Sequence, residues 1–134
     1  MFLSITDLVS SALASACDQA RPLEACGFLL GPPQDSHPIA TELLLLRETS
    51  QRRGSFSIPD HELRRVAAYA EDHRLRILAL FHSHPSGDPT LSPGDRAALR
   101  YSAWPWAIVT RSRLTLYAPT LARLCEIQLL AELE

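Results

Sequence analysis

The sequence predicts an α/β protein: one mixed, curled β-sheet flanked by helices. Three observations carry this expectation. Apolar residues recur at helical spacing in segments that open with Thr, Asp or Ser, the residues that cap helices. Short apolar runs bounded by Gly, Pro or polar clusters read as strands. The most strongly strand-like run, residues 76–84 ("RILALFHSH"), directly follows a helical segment, as a crossover element of an α/β sheet does. The 134 residues fit a single domain, residues 1–134, long enough to bury a real core.

The elements follow in the order α, β, β, β, α, β, α, β, β and a tail. Thr6 is placed to cap a first helix carrying Leu8, Val9, Ala12, Leu13 and Ala16 on one buried face, and Arg21-Pro22 ends it. "EACGFLLG", residues 24–31, reads as a buried strand closed by Gly31-Pro32-Pro33. Residues 39–46 form a second strand, and "SFSI" a third after a polar loop. Asp60 caps a helix over residues 61–73 with Leu63, Val66, Ala67 and Ala70 on one side. Ser92-Pro93 opens a third helix reaching about Tyr101. "WAIVT" and "LTLYA" flank the turn "RSR" as a hairpin. The tail "RLCEIQLLAELE" fits strand and helix equally well.

Bulk properties exclude several classes. A net charge of -2 gives no basic field to hold a phosphate backbone, which speaks against a nucleic-acid binder. All 13 basic residues are Arg. Cys17, Cys26 and Cys125 are odd in number and widely spaced, as expected of free thiols in a reducing cytoplasm. The N-terminal stretch lacks a basic region, and Asp7 interrupts its apolar run, so it does not read as a signal peptide. No apolar run approaches the ~18 residues of a membrane span.

The chemistry concentrates in "HSHPSGDPTLSPGD", which begins at His82. Side chains at i and i+2 of a strand share a face, about 7 Å apart at Cα. His82 and His84 are therefore aimed together and can converge on one metal ion. Zinc accepts His nitrogen and Asp oxygen, and a catalytic zinc has three protein ligands and a water. Asp95 is the natural third ligand, because the Pro- and Gly-rich turn can fold the next helix back to face the strand end. Ser92 and Asp95 also form a capping-box pattern with Pro93 at the first helical position, which explains that pair on its own. It does not explain the paired histidines immediately upstream. A hydrolytic site further needs a carboxylate near the metal, to take a proton from the activated water. Glu24, a charge at the start of an apolar strand, is the candidate.

These residues resemble the JAMM (MPN+/JAB1/Mov34) zinc metalloproteases in their compact prokaryotic form. "HSHPSGDPTLSPGD" fits that family's H-x-H-x7-S-x2-D, and "PLEACGFLLG" resembles the upstream segment in which Glu precedes an apolar strand ending in Gly. The likeness extends over nearly the whole chain. It implies a cytidine-deaminase-like fold and one zinc ion per chain held by His82, His84 and Asp95. It implies that Glu24 deprotonates the zinc water and passes the proton to the leaving amine, and that Ser92 helps stabilise the oxyanion. The implied reaction is hydrolysis of a peptide or isopeptide bond. One departure is visible: where many relatives carry Asn near the end of the second strand, this chain has Glu48 and Thr49.

Only seven residues separate His84 from Ser92, leaving no room for the insertions with which deubiquitinating relatives grip ubiquitin. The expected partner is therefore a small ubiquitin-like or sulfur-carrier protein ending in Gly-Gly. Its tail is expected to lie extended beside an exposed edge, with residues 48–58 as the candidate and Arg52 and Arg53 facing an acidic carrier. No membrane or nucleic-acid partner is implied, and the oligomeric state is open. Two other readings stand beside this one: a non-catalytic MPN-type scaffold, which should hold no zinc, and a RadC-like protein associated with DNA repair. Phe81, Trp104 and Trp106 are expected as core or wall residues, His37, His61 and His73 at the surface, and Cys26 as a small buried filler.

Overall fold

The computed structural model describes residues 3–33, 36–48, 50–52 and 55–130, with only the backbone of residues 50–52, 55 and 56. Arg53 and Thr49, named above for substrate contact and for the family's Asn, lie outside the described residues, as does the end of the tail.

The chain opens with a short strand β1 (Ser4–Ile5), then helix α1 (Asp7–Ala20). Thr6 caps this helix as expected, its hydroxyl accepting the Val9 N–H at 3.2 Å. Strands β2 (Cys26–Gly31), β3 (Ile39–Ala40), β4 (Glu42–Leu45), β5 (Ser50–Arg52) and β6 (Ser55–Ser57) lead to α2 (Asp60–Asp72). Then come β7 (Arg76–Ser83), α3 (Pro93–Leu99), β8 (Trp106–Val109), β9 (Arg113–Tyr117) and β10 (Arg123–Gln128). The main sheet has the order β10-β9-β8-β7-β2-β4. Its pairings are antiparallel except for β7 with β8, the two strands joined through α3. The start of the ambiguous tail, Arg123–Gln128, is thus an edge strand.

Helices cover both faces of the sheet. One core layer gathers Val9 and Leu13 of α1 with Leu29, Ala79, Phe81, Ala107 and Leu116. The other gathers Val66 and Ala70 of α2 and Leu99 of α3 with Phe28, Leu30, Leu80 and Ile108. Strand alternation sorts neighbours such as Phe81 and Leu80 to opposite layers. Gly27 permits the β2 contacts, since a Cβ there would lie 2.5 Å from the Leu44 carbonyl oxygen and 2.7 Å from the Phe81 ring.

Several sequence expectations are corrected. Leu8 and Ala12 do not face the core: Leu8 is 83% exposed, and Ala12 is exposed as well. Both line an open hollow along β4 with Leu43 and Leu45. The helix's apolar stripe is wider than the sheet beneath it, because among the described residues β4 is the edge strand of that sheet. Asp60 is not the cap of α2 but its first residue; Pro59 takes the cap position, its carbonyl accepting the N–H groups of Glu62 and Leu63. Ala67 is exposed, and the buried position is Glu62. Its carboxylate is satisfied by the Arg65 guanidinium and by the Arg47 N–H at 2.7 Å. The strand expected over residues 39–46 breaks at Thr41, and its first half pairs in parallel with β1. Helix α3 stops at Leu99.

Candidate metal centre

The site forms where β2 begins and β7 ends. In the β2–β7 register Cys26 lies opposite His82, which brings Glu24 to the same end of the sheet. His82 and His84 share the face that carries Leu80, as the two-residue period requires. His82 is buried at 1% exposure, in a T-shaped contact with the Trp106 ring, the centroids 5.5 Å apart. Trp106 is therefore the wall residue expected, and Phe81 a core residue.

Beyond β7 the loop is built from its own turn chemistry. The Gly87 N–H closes a turn onto the His84 carbonyl at 3.0 Å, with Pro85 at its second position and Gly87 at a φ of 85°. Asp88 Oδ1 accepts both the N–H and the hydroxyl of Thr90, at 2.9 and 2.7 Å. The Tyr117 hydroxyl donates to the Pro89 carbonyl at 2.8 Å. This bracing delivers the Asp88 carbonyl to His84 Nδ1 at 2.8 Å. It also starts α3 facing the strand end. Ser92 caps that helix: its hydroxyl accepts the Asp95 N–H at 3.0 Å, and Asp95 Oδ2 accepts the Ser92 N–H at 3.0 Å. Asp95 is thereby buried and fixed at 4% exposure.

Two contacts settle the tautomers. Glu24 Oε1 lies 2.7 Å from His82 Nδ1, and the Asp88 carbonyl meets His84 Nδ1. A carboxylate and a carbonyl only accept, so both Nδ1 atoms carry the proton. In the neutral rings each Nε2 then presents a lone pair. These point toward one carboxylate: His82 Nε2 lies 3.6 Å from Asp95 Oδ1, and His84 Nε2 lies 3.2 Å from Asp95 Oδ2. Donors bound at 2.0–2.1 Å to a tetrahedral ion stand about 3.3 Å apart. The residues therefore fit a metal in chemistry and in spacing. Nδ1–H bonded outward to a carboxylate or carbonyl is the arrangement that orients metal-bound imidazoles.

Glu24 also belongs to the cluster, since single donor atoms of Glu24, His82 and His84 lie within 4.8 Å of one another. Two donor sets thus share the histidines. The two carboxylates differ in setting: Asp95 is buried and locked by the capping box, whereas the Glu24 side chain is 39% exposed and holds His82 through the ring nitrogen remote from Asp95.

Without a metal the charges compensate locally. Burial pulls the His84 pKa down, but the Asp95 carboxylate, the Asp88 carbonyl and the Glu24 charge outweigh it and raise the value above 6.5. Burial pushes Asp95 up, yet His84, His82 and the bonds to Ser92 hold it low. Burial, assisted by the Glu24 charge, pushes the Cys26 thiol up to about 12, and the side chain sits buried in the core layer, as the small filler expected. His37, His61 and His73 are exposed as expected. Glu48 is bonded to His61 at 2.8 Å. The sequence reading passed over Ser83, which faces away from the histidines and bonds the backbone beside Glu24. Its only sequence signal is its place between them.

The sequence profile of prokaryotic homologs of the JAB domain matches residues 6–124. No curated protein matches the chain. Among solved structures, a protein from Desulfitobacterium hafniense, determined in solution, superposes with a TM-score of 0.76 at 20% identity, over 99% of this chain and 94% of the other. A JAB1/MPN domain protein from Archaeoglobus fulgidus gives a TM-score of 0.60 at 18% identity, over 90% and 94%. A protein from Salinibacter ruber gives 0.63 at 21%, over 93% and 87%. These likenesses bear on the fold, a mixed α/β arrangement of the JAB/MPN kind; with the profile match across its core, the chain belongs to the prokaryotic family of JAB-domain homologs.

Proposed function

We propose that this protein is a zinc-dependent peptidase or isopeptidase, acting in the cytoplasm on a small ubiquitin-like or sulfur-carrier protein and cutting after its C-terminal Gly-Gly. The observation that carries the reading is the convergence of the His82 and His84 Nε2 atoms on Asp95, with both Nδ1 atoms bonded outward. His82, His84 and Asp95 hold the ion. When bound, zinc supplies a Lewis acid and lowers the pKa of water to about 7. Glu24 accepts the proton of the attacking water and returns it to the leaving amine as the C–N bond breaks, so that water is added across the bond. Its partial exposure leaves the carboxylate accessible to water while it rests on His82. Ser92 already accepts the Asp95 N–H, and its hydroxyl proton remains to be donated to the oxyanion.

The edge of β4, which leads into the 48–58 segment, supports the reading of an extended tail lying beside it. Leu43 and Leu45 present their backbone groups outward from this sheet edge, the Leu45 carbonyl being bonded by Arg65 at 2.8 Å. Two adjoining hollows, of 420 and 310 Å³, run along the edge between Leu8 and Glu24 and share Ala16, Gln19 and Leu45. An uncharged Gly-Gly tail suits such a lining, and the β5–β6 segment follows immediately.

The test is incubation of the zinc-loaded protein with carrier proteins extended beyond Gly-Gly, followed by mass spectrometry. Cleavage after Gly-Gly, lost with chelator and with Glu24→Gln, is expected. A protein that holds no stoichiometric zinc and cleaves none of them is a scaffold, and the proposal fails.

A further inference from the structure

We propose that Ser83 is a positioning residue for Glu24, holding the peptide group from which that side chain springs. The proposal rests on the role given to Glu24 above. Just beyond the Cys26–His82 pair that begins the β2–β7 ladder, Ala25 and Ser83 face each other. Half of this pairing is regular: the Ser83 N–H donates to the Ala25 carbonyl at 2.9 Å. The other half departs from the pattern. The Ala25 N–H, which a regular antiparallel rung would send to the Ser83 carbonyl, donates to the Ser83 hydroxyl at 2.7 Å. That N–H belongs to the peptide joining Glu24 to Ala25. A side-chain acceptor has thus replaced a backbone one at the point where the chain leaves the sheet for the metal centre.

The environment of Ser83 supports a dedicated role. It is 3% exposed and lies on the opposite face of β7 from His82 and His84. Its hydroxyl therefore ties β7 to the peptide that precedes β2 without touching any proposed ligand. Its consequence is carried to the site through Glu24, whose Oε1 sits 2.7 Å from His82 Nδ1. Alanine at position 83 would leave the buried Ala25 N–H without its acceptor and free the Glu24 peptide to turn, while both histidines keep their strand positions. Threonine keeps the hydroxyl.

The experiment is nitrogen-15 NMR of the whole protein, reading the downfield Nδ1–H resonances of His82 and His84. In Ser83→Ala we expect the His82 proton to exchange with solvent at least about tenfold faster, because its Glu24 acceptor has moved, while the His84 proton on the Asp88 carbonyl is unchanged. Ser83→Thr should restore the wild-type signal. Ser83→Cys, a weaker acceptor of similar size, should be intermediate and serves if the alanine variant does not fold. An unchanged His82 proton in a folded variant, or equal acceleration at both histidines, overturns the proposal. Where cleavage is measurable, Ser83→Ala should lower kcat about 10–100-fold with KM unchanged, and cause no further loss in a Glu24→Gln background. Additive losses count against it. If no substrate is cleaved, the peptidase reading fails separately, and the imidazole protons still decide the role of Ser83.

Discussion

Replacing Asp95 by Asn should remove most of the metal affinity and leave the fold intact. The two consequences separate because Asp95 has two tasks. As the third residue of α3 it accepts the Ser92 N–H at 3.0 Å, and an amide oxygen accepts that bond equally well. As the group facing both Nε2 atoms, at 3.2 and 3.6 Å, it supplies the negative charge that the site otherwise lacks on that side. Apparent zinc affinities of about 10–16 kcal/mol spread over four ligands assign each about 3 kcal/mol, close to a hundredfold in dissociation constant. Asp95→Asn should therefore weaken zinc binding by about two orders of magnitude. Its metal-free melting temperature should stay within about 5 °C of the wild type, a change of about 1 kcal/mol for a chain of this size. Glu24→Gln is the control. It contacts the ring nitrogen remote from Asp95, and glutamine still accepts from His82 Nδ1–H, so zinc should stay bound within about tenfold. Competition titration against a chromophoric chelator, with the melting curve of each apo protein, measures both quantities. Wild-type affinity in Asp95→Asn together with loss of zinc in Glu24→Gln would show that the donor set is Glu24, His82 and His84, and would refute the assignment of roles.

Three further outcomes follow from the same geometry. Ser92→Ala deletes the acceptor of the Asp95 N–H and should cost about 1 kcal/mol, lowering the melting temperature by about 3–5 °C in thermal denaturation. Zinc uptake should weaken as pH falls through the raised His84 pKa, because proton and metal compete for the Nε2 lone pair; calorimetry in buffers of different ionisation enthalpy should show proton release on binding. Glu62 is held near pKa 2, chiefly by Arg65, so its stabilising contribution is complete above the ordinary carboxylate range and is lost as pH falls toward 2. In urea denaturation the gap between wild type and Glu62→Gln should be wide at pH 6 and closed near pH 2.

The parts of the site that were legible in the sequence are those set by local periodicity. His82 and His84 share a face because a strand repeats every two residues, and Ser92 and Asp95 are three apart because a capping box requires it. What local rules do not contain is the partner across the fold. Ser83 looks like a spacer until Ala25, 58 residues away, arrives with an N–H to place. The misplacement of Leu8 and Ala12 has the same origin. Helical spacing fixes which residues share a stripe, but where the sheet stops beneath that stripe is decided by β4 being its edge strand among the described residues. Glu62 was missed because a charged residue reads as solvent-facing, and its burial depends on Arg65 and the Arg47 N–H being there to receive it.

The arrangement also bears on when the metal centre is built. In small zinc domains the ligands are ordered by the ion, so binding and folding are one event. Here each proposed ligand is already constrained by a bond that serves the fold. His82 is held through Nδ1 by Glu24, His84 through Nδ1 by the Asp88 carbonyl, and Asp95 by the cap of α3. In the metal-free protein the Asp95 carboxylate and the Asp88 carbonyl favour the protonated form of His84 against the effect of burial. A metal bound by the proposed ligands would then compete with a proton for Nε2 in a preformed cradle. Removing the ion should therefore cost the protein its chemistry before it costs it the fold, and the β7–α3 turn, stapled by Thr90 and Tyr117 rather than by the ion, should keep its shape through the exchange.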